Sequence, residues 1–349
     1  MIRVLVVDDS RTVRERLAEI LSADPDFEVV GQAENGRRAV ELVAVLKPDA
    51  ITLDIAMPDM TGLEATEQIM AHYPTPILIV SASFNRGELF DTYSALRAGA
   101  VDVLEKPRPD DVDWDARFLS ALRMVSKIRV IRHLRAKLAP LMRSVTASEP
   151  LAPPVVAAGR RIELVAIGAS TGGPSALATV LGAIGPRYPL PILVILHIDA
   201  QFASAFADWL GQQTGQIVKL AQDGERLDSF AGEIRLAPSD LHLVVQHRRL
   251  RLTASPPRNH CRPSVDVLFE SLAVEQANTV AAVVLTGMGR DGAAGLAALR
   301  RGGAFTIAQD EATSVIYGMP REAVLAGGAE RELPLDQIGP ILDDLRRQR

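Results

Sequence analysis

Two groups of residues in this chain have the types and spacing for chemistry. In the first third, Asp8 and Asp9 stand together after an apolar run, a lone Asp54 follows a second run, and Lys106 precedes Pro107 after a later one. Paired carboxylates hold a hard divalent cation such as Mg2+, which takes oxygen ligands, and the cation neutralises an incoming phosphoryl group. Asp54 would be the nucleophile that becomes an aspartyl phosphate. Ser81 can donate to the new phosphoryl oxygens, and Lys106 can neutralise the remaining charge. The plainer use of Asp8 and Asp9 is to cap a helix beginning near Ser10. Acids and a lysine at several strand ends together favour the phosphate switch.

The second group opens with the loop Gly168-Ala169-Ser170-Thr171-Gly172-Gly173. Ser170 follows an apolar strand pattern and precedes a helix whose first turn holds Pro174, so the turn projects a small hydroxyl over a helix N-terminus. Such a loop could also cradle a phosphate or simply turn, although Gly-Lys-Ser/Thr and Gly-x-Gly-x-x-Gly are both absent. A hydroxyl nucleophile needs a base. Among six histidines, His197 ends the apolar run Ile192 to Leu196, whereas His242 lies among apolar residues and reads as structural. Asp291, beyond the run Ala282 to Leu285, can orient that base, or can cap a helix over Ala293 to Leu299. The order Ser, His, Asp differs from the familiar hydrolase orders, but a triad is defined by geometry.

These positions imply the elements that carry them. From residue 2 to about 125, short β-branched runs (Val4 to Val7, Val29 and Val30, Ala50 to Leu53, Ile77 to Val80, Val101 to Leu104) alternate with helical patterns, which predicts a parallel sheet wrapped by helices. Ligands of such sheets bind at the carboxyl ends of the strands, where Asp8, Asp9 and Asp54 fall. Residues 115 to 139 read as one basic helix with Phe118, Leu122, Val125, Ile128 and Ile131 on one side. Pro140 ends it, and Ser144 to Gly159 reads as an Ala/Pro-rich linker. A second α/β pattern follows, with strands at Leu164 to Ile167, Pro191 to His197, Ala281 to Thr286 and Ala304 to Ala308. Short alternating segments between Ile217 and Thr253 suggest an antiparallel insertion.

Composition bounds the function. The 349 residues fit two domains, and 48% hydrophobic with 23% charged residues describes a folded protein. A net charge of −5 provides no basic face for nucleic acid. The single Cys261 is expected to exclude an intramolecular disulfide and any Cys-based zinc site, and agrees with a reduced cytoplasm. No signal peptide or membrane-spanning run is expected, so a membrane-bound substrate would be reached from the water side.

Residues 1 to about 125 resemble a response-regulator receiver domain. That resemblance implies that Asp54 is the phosphoacceptor, that Asp9, Asp54 and the Ala56 carbonyl bind Mg2+, and that Asp8 acts through water. Val103 departs from the pattern, standing where receivers usually carry an aromatic that turns inward on phosphorylation. Residues 161 to 349 resemble the catalytic domain of the chemotaxis protein-glutamate methylesterases. The motifs are Ile167 to Gly173, Arg262-Pro263-Ser264-Val265-Asp266-Val267-Leu268-Phe269, Leu285 to Gly292, and Ala308 to Ser314 followed by Tyr317-Gly318-Met319-Pro320.

The resemblance implies a receiver at 1–125, a helical connector and linker at 126–160, and a doubly wound α/β esterase with an antiparallel hairpin at 161–349. Ser170 would be the nucleophile, His197 the base and Asp291 its orienter. Thr171 would lie near the histidine and the Met288 amide in the oxyanion hole, with no cofactor at the esterase site. The substrates would be methylated chemoreceptors and the phosphodonor a histidine kinase, with glutamine deamidation as a second activity. Ile198-Asp199, Cys261 and Ala56 depart from the usual Met-Pro, histidine and glutamate. The competing classes are a non-enzymatic signalling module and a receiver-controlled transcription factor, the latter disfavoured by the lack of a basic recognition helix.

Overall fold

The computed structural model describes residues 1–82, 86–107, 111–128, 130, 160–186 and 188–345. Its contacts divide into two units, Met1–Glu149 and Pro150–Arg349. The expected linker 144–159 and the far part of the connector lie outside the described residues.

The first unit alternates strands and helices in chain order: β1 (Ile2–Val7), α1 (Arg11–Ser22), β2 (Phe27–Ala33), α2 (Gly36–Leu46), β3 (Ala50–Leu53), α3 (Gly62–His72), β4 (Ile77–Ser81), α4 (Arg86–Ala98), β5 (Asp102–Glu105) and α5 (Trp114–Val125). The five strands pair in parallel in the order β2-β1-β3-β4-β5. The interior strands β3 and β4 are buried along their length and apolar apart from Thr52 and Ser81, as strands covered on both faces tend to be. Leu17, Ile20 and Leu21 of α1 and Phe118, Leu122 and Val125 of α5 pack on one side of the sheet. Trp114 stacks on Phe118 at 5.0 Å and donates its indole N–H to the Glu105 carbonyl, which ties α5 to the end of β5.

One sequence expectation changes here. The helix expected over residues 115 to 139 ends at Val125. The Ser126 hydroxyl donates to the Arg123 carbonyl and Ile128 N–H donates to the Val125 carbonyl, closing a turn where the apolar spacing alone would have continued the helix.

In the second unit, β6 (Leu164–Ala169), α6 (Gly173–Ile184), β7 (Ile192–Leu196), α7 (Ala200–Thr214), β8 (Val218–Leu220), β9 (Ile234–Leu236), β10 (His242–Gln246) and β11 (Arg249–Thr253) come first. They are followed by α8 (Val265–Gln276), β12 (Val280–Val284), α9 (Ala293–Arg301), β13 (Phe305–Gln309), α10 (Met319–Leu325), β14 (Arg331–Leu333) and α11 (Leu335–Leu345). Seven strands form one sheet in the order β14-β13-β12-β6-β7-β9-β8, and β10 and β11 form a separate pair. All strand pairs of the large sheet are parallel.

The antiparallel insertion expected over Ile217 to Thr253 is therefore smaller than its alternation suggested. Among the strands only β10 and β11 pair antiparallel, with one isolated bridge between Arg226 and Arg249, while Ile234 of β9 pairs with Ile192 of β7 in the parallel sheet. All three residues of β9 are buried, and Arg235 stays charged there through bonds to Glu225 and Glu233. A buried salt-bridged arginine imitates the polar face of a hairpin strand. β14 and α11 had no sequence-level counterpart.

In both sheets the strand order reverses beside the first strand: between β1 and β3 in one, between β6 and β12 in the other. Open parallel sheets bind ligands at such a switch point, outside the carboxyl ends of the strands. Around Asp54, the loop leaving β3 is closed by Gly62, where an added Cβ would lie 2.0 Å from the Asp54 carbonyl oxygen. Gly62→Ala should therefore cost about 2 kcal/mol or more through forced overpacking. Chemical denaturation of the full chain, followed by the fluorescence of Trp114 in a Trp209→Phe background, would contradict this if the loss stayed under about 0.5 kcal/mol.

Candidate active site and phosphoacceptor site

At the switch point of the first sheet, Asp8 follows β1, Asp54 follows β3 and Lys106 follows β5. The Lys106 ammonium lies 2.7 Å from Asp8 Oδ2 and 2.8 Å from Asp54 Oδ2, bridging two buried carboxylates. The other oxygens accept backbone bonds, Asp8 Oδ1 from Ser10 N–H at 2.9 Å and Asp54 Oδ1 from Ile55 N–H at 2.8 Å. Asp8 thus also does the plainer turn work read from sequence.

Burial pushes the Asp54 carboxyl up to about 6, with the Lys106 ammonium pulling the other way and the Asp8 charge adding to the rise. Burial raises Asp8 as well, again against Lys106. Among the described residues Lys106 is the one cation paired with both buried carboxylates, which leaves net negative charge at the strand ends. Asp9 is exposed, yet carboxylate oxygens of Asp8, Asp9 and Asp54 all lie within 4.8 Å of one another. That hard-oxygen cluster suits a small divalent cation. Ser81 is buried at the end of β4, and its carbonyl accepts Lys106 N–H at 3.0 Å. Ala56 is exposed, two residues beyond Asp54.

In the second sheet, Ala169 and Leu196 are register partners at the ends of β6 and β7. The next residues on each strand are Ser170 and His197, so the two emerge side by side at roughly the ~4.8 Å spacing of adjacent strands. His197 N–H donates to the Ala169 carbonyl at 3.2 Å, and Ser170 N–H donates to the Thr286 carbonyl at 3.1 Å on the β12 side. Gly172 then turns the chain into α6 with φ +76, and a Cβ there would lie 2.6 Å from the Val315 Cβ. A non-glycine residue would be strained and crowded. Gly287 lets the β12 loop approach equally closely, since its Cβ would lie 2.8 Å from the Ser170 Cβ.

Asp291 arrives from the same loop and is 1% exposed. Its carboxylate accepts five hydrogen bonds: from Ser264 Oγ at 2.6 Å, Val265 N–H at 2.6 Å, Asn259 Nδ2 at 3.0 Å, Asp266 N–H at 3.2 Å and His197 Nε2 at 3.0 Å. Burial would raise this acid, but the bonds from His197 and Ser264 hold it below the usual carboxylate range. An ionised Asp291 fixes the neutral imidazole with its proton on Nε2 and its lone pair on Nδ1. For His197 itself burial opposes protonation, yet the bonds to Asp291 and Cys261 override it and push the ring up to about 9. The Ser170 hydroxyl makes no hydrogen bond among the described residues; a nucleophile–base bond often tightens only with substrate in place.

Asp291 does not cap the helix that follows it. Gly292 occupies that position for α9, and Asp291 instead caps α8 through Val265 and Asp266. Asp266 returns the arrangement, accepting Gly295 N–H of α9 at 2.8 Å and Asn259 Nδ2 at 2.8 Å. Burial and then the Asp291 charge raise the Asp266 carboxyl, opposed by those two bonds. His242 is structural: it accepts Ser264 N–H on Nδ1 at 3.2 Å and faces the Pro256 carbonyl through Nε2 at 3.1 Å.

The sequence reading missed Asn259, Ser264, Asp266 and Thr286 as supports of the site. Thr286 Oγ1 donates to the Thr171 carbonyl at 3.0 Å, and its own N–H is held by Gln309 Oε1 at 2.8 Å. Thr171 is buried, while Met288 stands 59% exposed on the loop beside Ser170. Ser264 carried a legible signal, a serine after proline at the start of an apolar helix. Asn259 carried none beyond its tolerance of the left-handed region, which it occupies with φ 52.

A protein-family model described as CheB methylesterase matches residues 165–342, and one described as response regulator receiver domain matches residues 4–113. The chain is 42% identical, over 99% of its own length and 97% of the relative's, to a protein-glutamate methylesterase/protein-glutamine glutaminase of Anaeromyxobacter dehalogenans. It is 40% identical to one of Geobacter metallireducens over 100% of both. Among solved structures, the CheB methylesterase catalytic domain of Thermotoga maritima aligns with TM-score 0.50 at 34% identity, covering 53% of this chain and 98% of that one.

Ser264→Ala removes both the shortest side-chain bond to Asp291 and the cap of α8, where Ser264 accepts Val267 N–H. It should destabilise the second unit by about 1–2 kcal/mol and lower its turnover. Hydrogen exchange at the Val265–Gln276 amides is the readout, and unaltered protection in the variant would refute the coupling.

Proposed function

The chain belongs to the CheB methylesterase family, with a response-regulator receiver ahead of the esterase part, and from that premise we propose a phosphorylation-regulated serine hydrolase of chemoreceptor adaptation. It removes γ-methyl groups from receptor glutamates as methanol and converts particular receptor glutamines to glutamate with release of ammonia. The observation that carries this reading is the His197–Asp291 pair, held beside the Ser170 turn at the sheet's switch point. We assign 1–125 to the receiver, 126–160 to the connector and 161–349 to the esterase.

In the proposed reaction Ser170 Oγ attacks the side-chain ester carbonyl, and His197 takes its proton on Nδ1, since Nε2–H is committed to Asp291. The tetrahedral oxyanion sits against the Met288 amide and the amides of the Ser170 turn, with Thr171 beside the histidine. Collapse expels methoxide, which takes the proton from His197 and leaves as methanol. Water then gives a proton to His197, attacks the acyl-serine, and releases glutamate with the serine restored. A positioned base contributes ~10²–10⁴-fold, and an oxyanion donor ~10²–10³-fold. The esterase site itself calls for no cofactor.

Regulation rests on Asp54 as phosphoacceptor and a histidine kinase as phosphodonor. Asp9, Asp54 and the Ala56 carbonyl would hold Mg2+, with Asp8 acting through water. Bound Mg2+ would supply positive charge against the phosphoryl oxygens. Lys106, already bridging Asp8 and Asp54, is placed to turn towards the phosphoryl group, and Ser81 to donate to it. We place the protein in the cytoplasm, where the free Cys261 stays reduced, reaching receptors from the water side. No helix among the described residues is long and apolar enough to cross a membrane, and the partners we assign include no nucleic acid.

Methanol release from membranes carrying methylated receptors tests the reading. Ser170→Ala should abolish release by at least about 10³-fold, and Asp54→Asn should leave a basal rate that a phosphodonor no longer raises. Release by Ser170→Ala at the wild-type rate would end the serine assignment, and equal stimulation of Asp54→Asn would end the regulatory one.

The pH profile follows from His197, which works as a base only when neutral. Because its ring is raised to about 9, the neutral fraction grows as pH rises towards that value. The specificity constant kcat/KM should therefore climb through neutrality, reach half its maximum near pH 9 and level only above it. A plateau already reached at pH 7 would contradict it.

A further inference from the structure

Cys261 is the sole cysteine of the chain, and it stands at the one ring nitrogen that Asp291 leaves free. Its Sγ lies 3.7 Å from His197 Nδ1 and donates to the Asn259 carbonyl at 3.4 Å. Ligand-type atoms of His197, Cys261 and Asp291 all lie within 4.8 Å of one another, so nitrogen, sulfur and oxygen donors lie close together. They are not equal as ligands. Both Asp291 oxygens are already engaged by five donors, so that carboxylate holds the ring and does not compete for a cation.

Three observations favour a metal between Nδ1 and Sγ. Imidazole nitrogen and thiolate are the donors preferred by Zn2+ and its softer relatives, and not by Mg2+. Bonds of ~2.0–2.1 Å to nitrogen and ~2.3 Å to sulfur at a tetrahedral angle set those atoms roughly 3.6 Å apart, close to the 3.7 Å observed. Finally, His197 donates its other ring N–H to a buried carboxylate, the outer-shell arrangement that metal-bound histidines almost always have.

We infer that His197 Nδ1 and Cys261 Sγ form a binding site for a thiophilic divalent cation of the Zn2+ type, and that filling it silences the esterase. On binding, the metal accepts the Nδ1 lone pair, the thiol releases its proton to solvent, and no atom changes oxidation state. Water completes the coordination. The base nitrogen is then blocked and cannot accept the Ser170 proton. The inhibitory half rests on the role proposed above for His197; the binding half does not.

The full-length chain is titrated with Cd2+ in excess Mg2+, reading the ultraviolet thiolate-to-cadmium band, which carboxylates at the receiver site cannot produce. One equivalent should saturate it. Cys261→Ser should abolish the band, and His197→Gln should weaken binding at least tenfold. In parallel, Zn2+ should inhibit methanol release reversibly to a chelator, with Cys261→Ser, measured against its own metal-free rate, requiring at least tenfold more. A Cd2+ midpoint unchanged in His197→Gln, or undiminished Zn2+ inhibition of Cys261→Ser, would overturn the site. A saturable band dependent on both residues, without inhibition, would overturn the silencing and with it the base role of His197. A wild type releasing no methanol would sink the esterase reading while the Cd2+ band still decides the site.

Discussion

A carboxylate buried without counter-charges would shed its ionisation before it could orient anything. Asp291 stays ionised because one face of the second unit is folded around it: the first amides of α8, the Ser264 hydroxyl, the Asn259 amide and the His197 ring all point at its two oxygens. The dependence runs in both directions. The start of α8 needs an acceptor for its orphan amides, and the acceptor comes from the loop before α9, while Asp266 in α8 caps α9 in exchange. Two helices on one face of the sheet are thus fastened by exchanged acids. The geometry that orients His197 is the same geometry that docks α8, so neither can relax independently of the other.

The two sites share a logic although their chemistry differs. Each lies where strand order reverses, and each gathers side chains from strand ends distant in sequence: Asp8, Asp54 and Lys106 in one, Ser170, His197 and Asp291 in the other. The electrostatic solutions are opposite. In the receiver unit two acids share a single lysine, and burial lifts Asp54 to about 6, which suits a pocket built to receive a cation and a phosphoryl group. In the esterase unit the acid is oversupplied with donors and is lowered, which suits a fixed charge that holds a ring in one tautomer.

Much of this was legible because strand ends are legible. Apolar β-branched runs followed by Asp8, by Asp54, by Ser170 and by His197 marked both the sheet and its carboxyl edge. What failed to show has physical reasons. Arg235 made β9 look like a strand with a polar face, because a paired buried arginine is indistinguishable from a solvated one in sequence. Asp291 looked like a cap for its own helix, and only tertiary packing reveals that it caps another. The hydroxyl of Ser264 and the amide of Asn259 reach Asp291 across 27 and 32 residues of chain, a relation no local spacing encodes.

The orientation of the imidazole follows from how three strand ends are brought together. The order β12-β6-β7 puts Ser170 next to His197 but leaves Asp291 one strand further away. Nδ1 lies nearer the histidine backbone than Nε2, and its lone pair is the one that Asp291 leaves free. Nε2, at the far end of the ring, reaches the more distant carboxylate. The capped position of Asp291 therefore sets which ring nitrogen keeps the lone pair, and that same selection places Nδ1 beside Cys261, at a side chain where this chain departs from the usual histidine.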